Sequence, residues 1–140
     1  MKVRRNDTGF LVVLEPGDEV IASLIKLATA ERIGEASLTG IGAVRDVVLG
    51  FIDPNQKQYV KREFGPDSME LVSITGNLAL LKGEPSAHCH AAVSDREMRL
   101  VGGHLFSAVT SVTVEIFLHV YDGEIERKYD ANTGANPISL

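Results

Sequence analysis

The sequence holds one cysteine, Cys89, and no tryptophan, and only 6% of its 140 residues are aromatic. A lone cysteine excludes an internal disulfide and any zinc knuckle built from several thiolates of one chain. Long apolar runs are missing too. No stretch approaches the roughly 18–20 residues that cross a bilayer as a helix, so a soluble, cytoplasmic protein with no membrane partner is expected. Behind the basic opening Lys2, Arg4 and Arg5, the apolar run Phe10–Leu14 is too short for a secretory signal. Positive charge is also scarce. Fourteen Lys and Arg stand against nineteen Asp and Glu, and the net charge of −5 opposes the phosphate attraction that dominates nucleic-acid affinity.

What is present is ordinary globular material, with 44% hydrophobic and 24% charged residues. A chain of this length typically buries roughly 68–70% of its unfolded surface, enough for one core. A single domain over 1–140 is expected, with its core over about 8–130 and an irregular tail at 131–140.

Residues 8–15 form a β-rich apolar run that stops at Pro16-Gly17. A helix is expected to begin there: acidic Asp18 and Glu19 occupy its first turn, Val20, Leu24, Leu27 and Ala28 recur at helical spacing, Arg32 is near its end, and Gly34 offers a left-handed stop. Beyond Gly34 the pattern turns strand-like over 35–52, 58–64, 69–81, 86–94, 98–102, 105–109 and 112–121. In the last of these, Val112, Val114, Ile116, Leu118 and Val120 share one face, and Thr113, Glu115, Phe117, His119 and Tyr121 the other, so one face is expected to be buried. One early helix and many short strands indicate an α+β fold with a mainly antiparallel sheet, the helix packed on it.

The candidate chemistry is in the histidines, three of which fall within residues 88–104. On a strand, His88 and His90 project from one face and Cys89 from the other. A chain reversal between 91 and 103 would add His104, and Gly102-Gly103 would permit close backbone approach there. Three neutral imidazoles suit zinc or another divalent first-row metal and leave a position open for water or substrate. Spacing alone also allows hydrogen-bonded core or interface histidines.

Gly40-Ile41-Gly42-Ala43 with Leu49-Gly50-Phe51, the run Met69–Asn77, His88-Cys89-His90 and Gly102-Gly103-His104-Leu105 occur in this order and spacing. Together they resemble the plants-and-prokaryotes-conserved (PPC) domain family, whose members stand alone in prokaryotes and follow AT-hooks in plant nuclear proteins. The resemblance covers roughly 8–130. It implies an α+β, trimeric domain in which His88, His90 and His104 form a metal-binding unit, most simply for zinc, and it carries a DNA-binding association. It also aligns 69–73 with a plant segment implicated in subunit and partner contacts. Glu70 there is either a partner for an imidazole or a base beside metal-bound water, or else an exposed strand carboxylate.

Two departures stand out. Family members often carry Asp-Gly between the histidines, whereas Val93–Arg99 here must turn by different chemistry. The chain also lacks the Arg-Gly-Arg core with which AT-hooks enter the minor groove. Three functions follow: a metal-binding regulatory protein with DNA or a small molecule as partner, a metal-dependent enzyme with activated water, or a trimeric interaction scaffold.

The remaining candidates are weaker. Gly40-Ile41-Gly42 begins a dinucleotide-like pattern, but Arg45 replaces the third glycine and β-prone residues follow, so a strand bend is expected. Lys57, Lys61 and Arg62 with Tyr59 and Phe64 suggest a basic strip interrupted by Glu63 and Asp67. His119 reads as a surface or interface residue. Cys89, opposite the imidazoles, is not a favoured nucleophile.

Overall fold

The computed structural model describes residues 1–140 as nine β-strands and one helix. The strands are β1 (Lys2–Asn6), β2 (Gly9–Leu14), β3 (Ala36–Asp53), β4 (Gln58–Phe64), β5 (Met69–Leu81), β6 (Glu84–Ser94), β7 (Leu100–Val120), β8 (Glu126–Arg127) and β9 (Ile138–Ser139). The helix α1 spans Val20–Glu31. Pairing is antiparallel throughout except between β5 and β8, and the order runs β1-β2-β7-β3-β5-β8-β9. The strand β4 pairs with β3, and β6 bridges β5 and β7, so β3, β5, β6 and β7 close a circuit of pairings. The expected α+β class with a mainly antiparallel sheet is observed.

The helix begins at Val20, slightly later than its sequence suggests, so the acidic pair lies ahead of its first turn and not within it. Asp18 and Glu19 precede it, and Glu19 is its N-cap, accepting the Ala22 N–H at 2.5 Å while its other oxygen accepts the Ala108 N–H of β7 at 3.1 Å. One side chain therefore both caps the helix and ties it to the sheet. The left-handed stop falls on Arg32 (φ 55°), not on Gly34, and the Ile33 N–H bonds back to the Ala28 carbonyl at 2.9 Å. This earlier reversal delivers Ile33 to the core, where it is buried beside Leu24, Leu27 and Ala28.

The largest difference from the sequence reading is the continuity of β7. The runs at 98–102, 105–109 and 112–121 are pieces of one 21-residue strand. Gly102-Gly103 does not break it: a Cβ on Gly103 would sit 2.7 Å from the Gly50 carbonyl oxygen, so glycine lets β7 and β3 approach. Similarly, Gly40 and Gly42 flank a register shift, and their Cβ positions lie 2.5 Å and 2.2 Å from carbonyl oxygens of β7. The Gly-x-Gly pattern is thus a strand irregularity with no phosphate-binding helix behind it.

Along β7, Val114, Ile116 and Leu118 are buried as the alternation requires, but Val112 is 64% exposed. Polar β1 lacks an apolar period and was not expected as a strand; it completes a hairpin with β2. The segment 131–140, expected to be irregular, ends in β9, which pairs with β8. No helix is long and apolar enough to cross a membrane.

Candidate metal centre

Strand register builds the site. In the β6–β7 hairpin His90 lies opposite His104, and on the other side of β6 His88 lies opposite Asn77 of β5. The reversal uses Asp95 in place of an Asp-Gly turn. Its carboxylate accepts the Glu97 and Arg99 N–H groups at 2.9 and 3.0 Å and the Arg99 Nε–H at 2.8 Å, while Met98 takes the left-handed conformation (φ 62°). The three rings end as near-equidistant neighbours, with centroids 5.1, 5.3 and 5.6 Å apart. One nitrogen from each lies within 4.8 Å of the others.

The surroundings favour the neutral form of two of these imidazoles, His88 and His104. Burial, reinforced by the neighbouring histidines, Lys61 and Arg127, lowers His104 from an ordinary 6.5 to about 4. Burial, Arg127 and His90 also lower His88. A neutral ring offers the lone pair that a metal requires. Two aromatic rings hold His104: Phe106 at 4.6 Å and Tyr59 at 4.9 Å, themselves edge to face at 5.0 Å. Its Nδ1 is buried and has no hydrogen-bond partner. An orphaned imidazole nitrogen among two other imidazoles is the environment a divalent ion satisfies, so these residues fit a metal.

The depressed His104 value gives metal-free protein a signed pH dependence. An unfolded chain takes up this proton near pH 6.5 and the folded one only near 4, so stability is complete above about 6.5 and declines as the pH falls toward 4. Thermal melts of metal-free protein should show this decline, and His104→Asn should flatten its upper part, above the range where carboxylates titrate. An unflattened profile would mean that His104 is not desolvated as described.

Other candidates fall elsewhere. Glu70 is exposed, pairs with Ala43 and Ser94, and lines a different groove with Ile41, Val72 and Val112. Register separates it from the histidines by several residues along β5 and β6. Cys89 is fully buried in the core, and burial pushes its thiol up to about 12, leaving no thiolate for nucleophilic attack. His119 stacks edgewise on Tyr121 at 4.7 Å, away from the triad.

Alternation splits the basic strip. Tyr59 and Lys61 turn toward the histidines, with the Lys61 ammonium 3.8 Å above the Phe106 ring, while Arg62 and Phe64 face another groove with Val60. Sequence reasoning missed Arg127, which lines the histidine cavity from β8. Its two-residue strand carries no periodic signal that could have marked it.

The cavity holds about 640 Å³ and is walled by Tyr59, Phe106, Ile52, Leu81 and the returning C-terminal segment. That is within the usual range for small-molecule sites. An ion on three imidazoles would have an open coordination position, and this cavity provides room for a ligand to fill it.

Comparison with known proteins agrees with this geometry. No curated protein matches the chain. Among solved structures, it is similar to a candidate DNA-binding protein from Ralstonia eutropha JMP134, at 33% identity and TM-score 0.91 over 99% of this chain and 96% of that one. It is 30% identical to a metal-containing protein from Archaeoglobus fulgidus, at TM-score 0.86 over the whole of both chains. A plant- and prokaryote-conserved (PPC) protein from Pyrococcus horikoshii matches at 28% identity and TM-score 0.87, over 99% of this chain and 94% of that one. The Plants and Prokaryotes Conserved (PCC) domain matches residues 1–122. With that match covering most of its length, the chain belongs to the Plants and Prokaryotes Conserved domain family, the family its glycine and histidine segments resemble.

Proposed function

We propose that this chain is a metal-binding regulatory protein. In this reading His88, His90 and His104 hold one divalent ion, zinc first, and the open position serves a small-molecule ligand. The observation that carries this is the convergence of three ring nitrogens within 4.8 Å in a cavity large enough for a ligand. The description of the Archaeoglobus fulgidus relative as a metal-containing protein, with no ion specified, supports the presence of a metal. A zinc ion so held would supply a Lewis acid and would lower the pKa of a bound water. The chain's own residues orient the donors and wall the site. The enzymatic alternative loses Glu70 as its base, since that carboxylate lies in another groove. The test is zinc content per chain in protein isolated without added metal: near one supports the reading, and absence with no uptake on titration overturns it.

DNA is the second reading, favoured by the description of the Ralstonia eutropha relative as a candidate DNA-binding protein. It requires an affinity that falls steeply with salt, because phosphate contacts release counterions. The net charge of −5 and the splitting of Lys61 from Arg62 weigh against it.

Assembly as a homotrimer completes the proposal. Ile41, Val72 and Val112 are 60%, 49% and 64% exposed around one groove, an apolar surface that a second copy would cover. Val72→Asp should therefore convert the assembly to smaller species in light scattering. An unchanged trimer would place the interface elsewhere.

A further inference from the structure

Arg127 is a buried cation without a counter-ion. Only 5% of it is exposed, yet it makes no ion pair with any carboxylate. Of its five N–H donors, one bonds the Asn77 side-chain oxygen beside His88 and one the Asn136 carbonyl at 3.1 Å. Its Nε–H is buried and has no partner. Buried charges are ordinarily paired, and an unpaired guanidinium is costly to retain unless something else supplies the charge.

Nothing in the chain supplies it. Asp130 lines the same cavity, but its carboxylate is committed to its own turn, accepting the Asn132 N–H at 2.9 Å and the Thr133 hydroxyl at 3.1 Å. Lys61, over Phe106, adds a second positive charge beside the histidines. The walls between these groups are largely apolar. A planar guanidinium fork suits a carboxylate bidentately.

We propose that the histidine cavity binds a small carboxylate-bearing molecule, whose carboxylate pairs with Arg127 while a neighbouring oxygen points toward the three imidazoles. The apolar body of such a ligand packs against Tyr59 and Phe106. The second contact rests on the metal reading; the first depends only on Arg127, which lies beyond the residues matched by the family domain.

The test compares 2-hydroxyisobutyrate and 2-oxobutyrate with their uncharged amides by calorimetry, on zinc-loaded and on metal-free full-length chain. The Arg127 Nε–H resonance is followed by NMR. The acids should bind about tenfold or more tightly than the amides and move the Nε–H resonance, since a charge-assisted bond is lost with the charge. Arg127→Gln should abolish the preference with zinc content unchanged, and Arg127→Lys should keep part of it.

Equal binding of acid and amide, no binding of either acid, or an unmoved Nε–H resonance would overturn the proposal. Each is read on the natural chain, so misfolding of a variant does not decide it. A protein that takes up no zinc but keeps the acid preference through Arg127 would refute the metal reading and leave this one standing.

Discussion

Replacing His104 with alanine is expected to weaken zinc binding by more than about a hundredfold while the fold survives. Residues that merely orient a metal ligand typically cost 10–100-fold when removed, so loss of a ligand itself should exceed that. His104 is the member that β7 contributes, and without it His88 and His90 present two donors from one strand of the hairpin. Its removal creates no new orphan in the core, because its buried Nδ1 is already without a hydrogen-bond partner. Contacts with Tyr59 and Phe106 are lost, at a cost of about 1–2 kcal/mol. His119→Ala, at an exposed position on the same strand, should leave zinc affinity unchanged. Competition against a chromophoric chelator distinguishes these outcomes, and equal affinity in the two variants would remove His104 from the site.

Gly76→Val should be the most destabilising substitution near the site. Gly76 lies opposite Cys89, and a Cβ there would sit 2.2 Å from the His88 carbonyl oxygen and 2.8 Å from the Cys89 Cα. Both are backbone atoms, so no rotamer change relieves the clash; β6 must move away from β5. Overpacking in a core typically costs 1–3 kcal/mol and more when backbone shifts, so about 3 kcal/mol or more is expected. For a chain of this size that lowers the melting temperature by roughly 10 °C. The displaced strand carries both His88 and His90, so zinc affinity should fall with stability. A variant melting within a degree or two of the natural protein would contradict the observed β5–β6 spacing.

These two positions show what was legible in the sequence. The strands at 58–64 and 69–81 were readable because each combines an apolar pattern with turn residues at both ends, and the structure places them at Gln58–Phe64 and Met69–Leu81. His88 and His90 were assigned to one face by alternation, and a reversal was expected to bring up His104; the pairing of His90 with His104 is that reversal. The continuity of β7 was hidden because Gly102-Gly103 looks like punctuation locally. Its physical reason, contact with the Gly50 backbone, belongs to a strand more than fifty residues earlier.

Arg127 was invisible for a related reason. Its burial comes from β8 adding to the edge of β5 and from Asn77 and Asn136 reaching its guanidinium, contacts between segments with no shared local pattern. Glu70 was singled out through an aligned segment, without a register that brought it to the imidazoles. The sheet sends it to the groove of Ile41, Val72 and Val112. Local alternation thus identified the faces of strands, and long-range pairing decided which faces meet.

The measurement that bears most directly on the metal reading is elemental analysis of tag-free protein isolated without added metal, beside folded His104→Ala. About one zinc per chain in the natural protein, and almost none in the variant, is the expected result. A well-folded natural protein that contains no metal and takes up none on titration would make the three imidazoles an aromatic cluster of the sheet and contradict the assignment.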